Sequence, residues 1–291
     1  HEGAAEDYLA FVRDWPQSRL APTALFNASV DYVKAHRLDK AVEVRAQLLQ
    51  RFPGDPLAPK VLYDNAEATE AMAEFGRAAE LYERYFEEWR RARKGTKVKD
   101  AGGYEEKKAN DAIVNAAVFR AGLREWARAE AASRAYLEIW PNGADASRIF
   151  LSLADLYAKQ NQAAKELKQL EDYQRRFAKD PDEWLAIQHR IAQLLDRNPR
   201  SPLARRAYAQ AVEYWKRRKG DVKDRVALAV EALEGTDACI RRGGELARSG
   251  GFVVAKAVKP HQDRRFDLPA VGPDTVDVIR ESGGRVLVVE A

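Results

Sequence analysis

The apolar positions of residues 1 to about 218 repeat at helical spacing and again on a longer ruler. Large aromatic residues stand at Trp15, Phe52 and Trp89, each 37 residues after the last, and then at Trp140, Phe177 and Tyr214, again 37 apart. The step from Trp89 to Trp140 is 51 residues, which is 37 plus an insertion of 14. A second marker follows the same ruler at Leu25, Leu62, Ile113, Phe150 and Ile187, and a small one at Ser29, Ala66, Ala117 and Ala154. Stretches such as Ala24–Tyr32 and Val61–Met72 carry apolar residues at the period of an amphipathic helix. A second helix follows each, starting near Asp39-Lys40-Ala41 and Gly76-Arg77-Ala78. Pro16, Pro53 and Pro141 come directly after an anchor, and Pro181 lies just beyond Phe177. Proline lacks an N–H and stops the helix before it. The pattern predicts helical hairpins that cannot bury their apolar faces alone and therefore stack. Small residues fall where two helices approach, and the anchors are expected to fill the space between hairpins as core. The fold class is mainly α: a right-handed helical-hairpin solenoid over residues 1–218, followed by a small α/β segment over 221–291.

The repeats resemble the tetratricopeptide family, with a period a few residues longer than the usual ~34. Their Phe-Pro and Trp-Pro helix ends are similar to those of bacterial envelope proteins of the BamD-like and YbgF-like group. The resemblance implies a scaffold for protein–protein interaction, with a peptide or protein ligand in the groove lined by the first helices. Polar residues are expected on that face at Asn27, Asp64, Asn115, Ser152 and His189, one ruler apart, and at Asp31, one turn after Asn27. Amides and carboxylates there can hydrogen-bond an extended backbone.

Composition divides the chain near Lys219-Gly220. All six Trp and all eleven Tyr lie before residue 221, while the last 71 residues hold eight of the 17 glycines and only Phe252 and Phe266 as aromatics. That tail is dense in Val and reads as strand and turn. The insertion, about residues 90–108, holds eight Lys or Arg against three acids. It reads as a solvated loop; the sharper reading is a contact with phospholipid headgroups at a membrane surface or with an acidic partner. The net charge of +4 is a mild excess of 49 bases over 45 acids and gives no argument for nucleic acid. Cys239 stands alone, so no internal disulfide forms. No stretch approaches the ~18 apolar residues of a membrane span, and the first residues carry no apolar signal core.

The tail also carries candidate chemistry. Asp263 and Asp267 flank Arg264 and Arg265 within the run Lys259 to Pro269. Two carboxylates four residues apart can hold a divalent cation, and neighbouring Arg and Lys can bind a diphosphate. The bland alternative is a surface turn of ordinary ion pairs. With Glu234 to Asp237 and the Gly-Gly-Arg-Val-Leu-Val-Val end, residues 221–291 resemble the C-terminal catalytic domain of LpxI, the UDP-2,3-diacylglucosamine pyrophosphatase family of lipid A synthesis. The resemblance implies a magnesium-dependent hydrolase that releases UMP, with Asp263 and Asp267 as catalytic and metal-binding residues. It places Lys256, Lys259, Gln262, Arg264, Glu234, Thr236 and Asp237 at the substrate, and makes the repeats a targeting arm. The repeats occupy the place of that family's own N-terminal domain. An LpxI-like activity implies a cytoplasmic or inner-membrane peripheral location; the envelope-like repeats imply the periplasm if an export signal precedes residue 1. The scaffold reading accounts for more of the chain, the pyrophosphatase is the alternative, and a join of two unrelated parts is the third reading.

Overall fold

The computed structural model describes residues 1–94, 102–196, 202–217, 236–246, 252–256 and 271–289. The helices are α1 (Glu2–Asp14), α2 (Ala21–Lys34), α3 (Leu38–Arg51), α4 (Ala58–Ala71), α5 (Phe75–Arg93), α6 (Glu106–Gly122), α7 (Trp126–Ile139), α8 (Ala146–Lys159), α9 (Ala163–Arg176), α10 (Pro181–Asp196) and α11 (Pro202–Arg217). They are followed by α12 (Thr236–Leu246), β1 (Val253–Lys256), α13 (Pro273–Glu281) and β2 (Val286–Val289). The chain divides into two compact units, His1–Tyr173 and Gln174–Ala291. The division falls inside α9, earlier than the change of composition near Lys219.

In the first unit consecutive helices from α1 through α8 pack on one another. Two kinds of connection alternate. Within a hairpin the turn is made by one residue in the left-handed region: His36, Ala73, Arg124 and Asn161, with φ of 57°, 60°, 61° and 56°. These positions lie on the repeat ruler. The next N–H reaches back five residues, from Arg37 to Tyr32, Glu74 to Thr69, Glu125 to Arg120 and Gln162 to Tyr157, at 2.8 to 3.1 Å. This closes the carbonyl end of the first helix as a glycine C-cap would. None of the four is glycine, the usual residue for this conformation, though His36 and Asn161 are types that enter it more readily than most.

Between hairpins the chain turns twice. Trp15, Phe52 and Trp140 are the C-cap residues, with φ of −127°, −131° and −121°. The N–H of Ser18, Asp55 and Gly143 then returns to the carbonyl of the anchor, and the N–H of Ala21, Ala58 and Ala146 to the carbonyl of that third residue. The Leu20 N–H donates to Ser18 Oγ at 3.2 Å and the Leu57 N–H to Asp55 Oδ1 at 2.9 Å. In the later repeat Gly143 has no such side chain, and the Asp145 N–H donates to Tyr136 Oη instead, at 3.2 Å. A Cβ at residue 143 would stand 2.6 Å from that hydroxyl.

No proline follows Trp89, and there the helix does not stop: α5 runs on to Arg93. The insertion is therefore not a loop throughout, since residues 90–93 finish α5 and residues 106–108 begin α6. Its returning end is also seated. Gly103, at φ 81°, lies close enough to Pro59 that a Cβ would be 3.2 Å away, and the Glu105 N–H donates to Tyr85 Oη at 3.0 Å.

The aliphatic marker is core as expected: Leu25, Leu62, Ile113, Phe150 and Ile187 are all buried, and so are Ser29, Ala66, Ala117 and Ala154. The aromatic anchors are not uniformly so. Trp89 is 0% exposed and its ring stacks on Trp140 at 5.2 Å and 19°, but Trp15 is 60% exposed. The expectation that the anchors are core fails at Trp15. A cap residue leaves the helix axis, so its ring covers a helix end and keeps one side open. Trp89 sits inside a helix and is enclosed. Arg120 is 1% exposed and pairs with Glu83 through Nε at 2.9 Å and Glu125 through Nη1 at 2.8 Å; Arg128 joins Glu83 at 2.6 Å.

In the second unit α10 packs on α11. Buried Gln188 donates to the Ala207 carbonyl at 2.9 Å, and Trp184 stacks on Tyr214 at 3.8 Å. Farther along, β1 and β2 pair in parallel with Val253 opposite Val286 and Lys256 opposite Val289. Ile240, Val278 and Ile279 form a small core with Phe252, Val254 and Leu287 packed against it. Gly244 of α12 lies against Ser282, where a Cβ would come within 2.5 Å of a backbone oxygen; only glycine allows this approach.

Candidate functional site

The first helices of neighbouring hairpins, α4 and α6, are separated by a cleft of about 360 Å³. Tyr63, Glu67, Glu70 and Ala71 line it from α4, Tyr82 from α5 and Asn115 from α6. Residues 63, 67, 70 and 71 fall within two turns of one helix, which is why one face of α4 supplies four of the six. The floor is aromatic: Tyr63 and Tyr82 are buried, with their rings edge to face at 5.7 Å. The Tyr82 hydroxyl donates to Glu70 Oε2 at 2.7 Å. Burial, and then Glu70, push the Tyr82 phenol well above its ordinary value; burial, and then Asp111, do the same for Tyr63. Both therefore stay neutral donors. Glu67 stands at the mouth, and its carboxyl is raised first by desolvation and then by Asp64.

Of the polar residues expected on this face, Asn115 lines the cleft. Asp64 is engaged beside it: its carboxylate accepts from Lys60 at 2.7 Å and its carbonyl from buried Arg45 at 2.9 Å. Asp31 meets His1 at 3.0 Å and Lys34 at 3.9 Å. Asn27 is half-buried on α2, and Ser152 is exposed on α8 with its hydroxyl donating to the Ile149 carbonyl. His189, in the second unit, is half-buried with Nε2 lacking a hydrogen-bond partner, and burial lowers its pKa. Sequence reasoning missed Tyr63, Glu67, Glu70 and Tyr82. The first and last looked like ordinary core aromatics, and the glutamates like a solvated helix face. The signal available was Glu67 and Glu70 beside an aromatic one turn earlier.

Four of the insertion's described cations are engaged within the chain. Arg90 pairs with Glu87 at 3.2 Å, Arg91 with Glu88 at 3.2 Å and Lys108 with Glu105 at 2.6 Å, while Arg93 lies over the Trp89 ring. Lys97 and Lys99 lie outside the described residues.

In the second unit the chain runs from β1 through residues 257–272 to α13, and then returns to β2 beside β1. Because the strands are parallel and the Arg285 N–H meets the Phe252 carbonyl at 3.0 Å, α13 runs back along them. β1 ends at Lys256, and open α/β sheets bind ligands beyond the carboxyl ends of their strands. Asp237 Oδ1 accepts from Thr275 Oγ1 at 3.2 Å, which joins the first turns of α12 and α13. Thr236 is half-buried beside it. Asp263, Asp267, Lys259, Gln262, Arg264 and Glu234 lie outside the described residues, as does the Lys256 side chain. Among the described residues no group of three His, Cys, Asp or Glu side chains could hold a metal ion, and no helix is long and apolar enough to cross a membrane.

Residues 221–291 match the family model of the LpxI C-terminal domain. The UDP-2,3-diacylglucosamine pyrophosphatase LpxI of Caulobacter vibrioides is 41% identical over 80 residues, which is 22% of this chain and 29% of that protein. The chain thus spans under a third of that relative's length. Among solved structures, a tetratricopeptide repeat protein from Parabacteroides merdae aligns with 84% of this chain and 77% of its own at 14% identity and a TM-score of 0.37. MamA of Desulfovibrio magneticus RS-1 aligns over 69% and 97% at 13% identity and 0.38. YrrB, a TPR protein described as having an unusual peptide-binding site, aligns over 73% and 94% at 11% identity and 0.39.

Proposed function

We propose that the helical repeats bind an extended segment of a partner protein across the face formed by the first helices. The observation that carries this is the α4–α6 cleft, which opens between two successive first helices and is lined in part by Asn115, one of the polar residues set out on the 37-residue ruler. A fixed row of amides and carboxylates on rigid helices suits a peptide backbone, because the row need not be ordered on binding. The test is selection of displayed peptides against the full chain, followed by anisotropy titration of those enriched. Saturable binding that Asn115→Arg abolishes supports the reading. Absence of any enriched peptide, with the protein folded by circular dichroism, counts against it.

A second reading has its own observation. The match over residues 221–291, with the Asp237–Thr275 bond joining the first turns of α12 and α13, suits a site for an anionic group. Helix N-termini present N–H groups to phosphate. Under this reading the chain hydrolyses UDP-2,3-diacylglucosamine at the inner-membrane surface and the repeats direct it there. Asp263 and Asp267 would hold magnesium, which would offset charge on the diphosphate. UMP release by the intact chain, lost in Asp263→Ala, would favour this reading over the scaffold.

A further inference from the structure

We propose that the α4–α6 cleft seats the guanidinium of an arginine carried by the bound partner segment; this rests on the protein-binding reading above. Two carboxylates, Glu67 and Glu70, line the cleft, and a third, Asp111, is near enough to act on Tyr63. Among the described residues none of the three has a Lys or Arg nitrogen within 4.0 Å. The nearby cations are committed elsewhere, Lys60 to Asp64 and Lys108 to Glu105, at 2.7 and 2.6 Å. Yet the chain already holds a cation at the edge of this place, since the Lys108 ammonium lies 5.5 Å over the Tyr63 ring.

The cleft is built as well as charged. Tyr82 fixes one oxygen of Glu70 by its hydroxyl, at 2.7 Å. Asn115 adds an amide on the opposite helix, and a volume of about 360 Å³ suits one large side chain rather than a folded surface. A guanidinium fits better than an ammonium: it is planar, more weakly hydrated, pairs with a carboxylate through two N–H groups and lies against aromatic rings. Desolvation, and then Asp64, raise the Glu67 carboxyl although Lys108 pulls the other way, and an entering cation would offset the part of that rise due to Asp64 and Glu70.

The test uses the full chain. N-acetyl-arginine amide, N-acetyl-lysine amide and N-acetyl-citrulline amide are titrated while the Asn115 side-chain amide is followed by NMR. The arginine compound is expected to saturate at least tenfold more tightly than citrulline, its uncharged near-isostere. The double variant Glu67→Gln, Glu70→Gln should weaken it at least tenfold, with the urea midpoint unchanged because Gln keeps an acceptor for Tyr82. Equal affinity for citrulline, or an unaffected double variant, overturns the proposal. Selected peptides separate it from the reading beneath it. Peptides that bind without needing arginine sink the cleft assignment and leave the scaffold. Arginine amide bound in the cleft with no peptide ever enriched keeps the site and sinks the scaffold.

Discussion

Trp89 and Trp15 occupy the same ruler position, yet the structure gives them very different weights. Trp89 is 0% exposed and Trp15 60%. A tryptophan buries roughly 200 Å² when enclosed, and at about 25 cal/mol/Å² that is about 5 kcal/mol. Trp89→Ala should therefore cost ~3–5 kcal/mol, in the range for large-to-small core changes, with part of it from the lost stack on Trp140 at 5.2 Å. Trp15 covers only about two-fifths of its area, so the same arithmetic gives ~2 kcal/mol as an upper bound, because the unfolded chain is already partly compact. The assay is urea unfolding followed by circular dichroism at 222 nm, since fluorescence would change with the tryptophan itself. A constant m-value shows that stability and not cooperativity has moved; stacked repeats can separate into parts, and a fall in m would report that. Equal losses at the two positions would refute the argument that burial, and not ruler position, sets an anchor's contribution.

Ala73→Gly should stabilise the protein by ~0.5–1 kcal/mol. Ala73 holds φ 60°, a conformation costing an L-residue about 1–2 kcal/mol, partly offset by glycine's freer unfolded chain; a loss in the same urea assay would contradict the turn geometry. Arg120→Ala should cost ~2–3 kcal/mol, since it removes buried charge-assisted hydrogen bonds to Glu83 and Glu125 while Arg128 still holds Glu83, whereas Arg128→Ala, at the exposed rim of that network, should cost under ~1 kcal/mol; similar losses would mean the pair is not buried. His189 bears on pH. Burial holds its folded pKa below the ordinary imidazole value of about 6.5, so below that pH the unfolded chain binds the extra proton and stability falls as pH drops, reaching a plateau above it. His189→Asn, the residue found at the equivalent positions 27 and 115, should flatten that slope in thermal unfolding between pH 7 and 5; an unchanged slope would assign it to other groups.

The helices and their stacking were legible because two independent markers, Leu25 and Ser29 and their equivalents, share one period, and burial of an apolar stripe is what the period encodes. The anchors were legible as positions but not as core, because identity does not say whether a residue caps a helix or sits within it; the absence of proline after Trp89 was the clue. The left-handed turns were barely legible: His36 and Asn161 are types that enter this region more readily, but Ala73 and Arg124 hold the same ruler position. The cleft was half legible. Asn115 stood on the ruler, but Glu67 and Glu70 become a site only when α6 is placed opposite them, which spacing along α4 cannot state.

The central claim is that partner segments lie along the first helices. Hydrogen exchange of the full chain, with and without a selected peptide, tests this most directly. Protection should gather on α2, α4, α6 and α8 and in the side of α5 next to the cleft. Protection confined to α3 and α7, or to residues 221–291, would contradict the account.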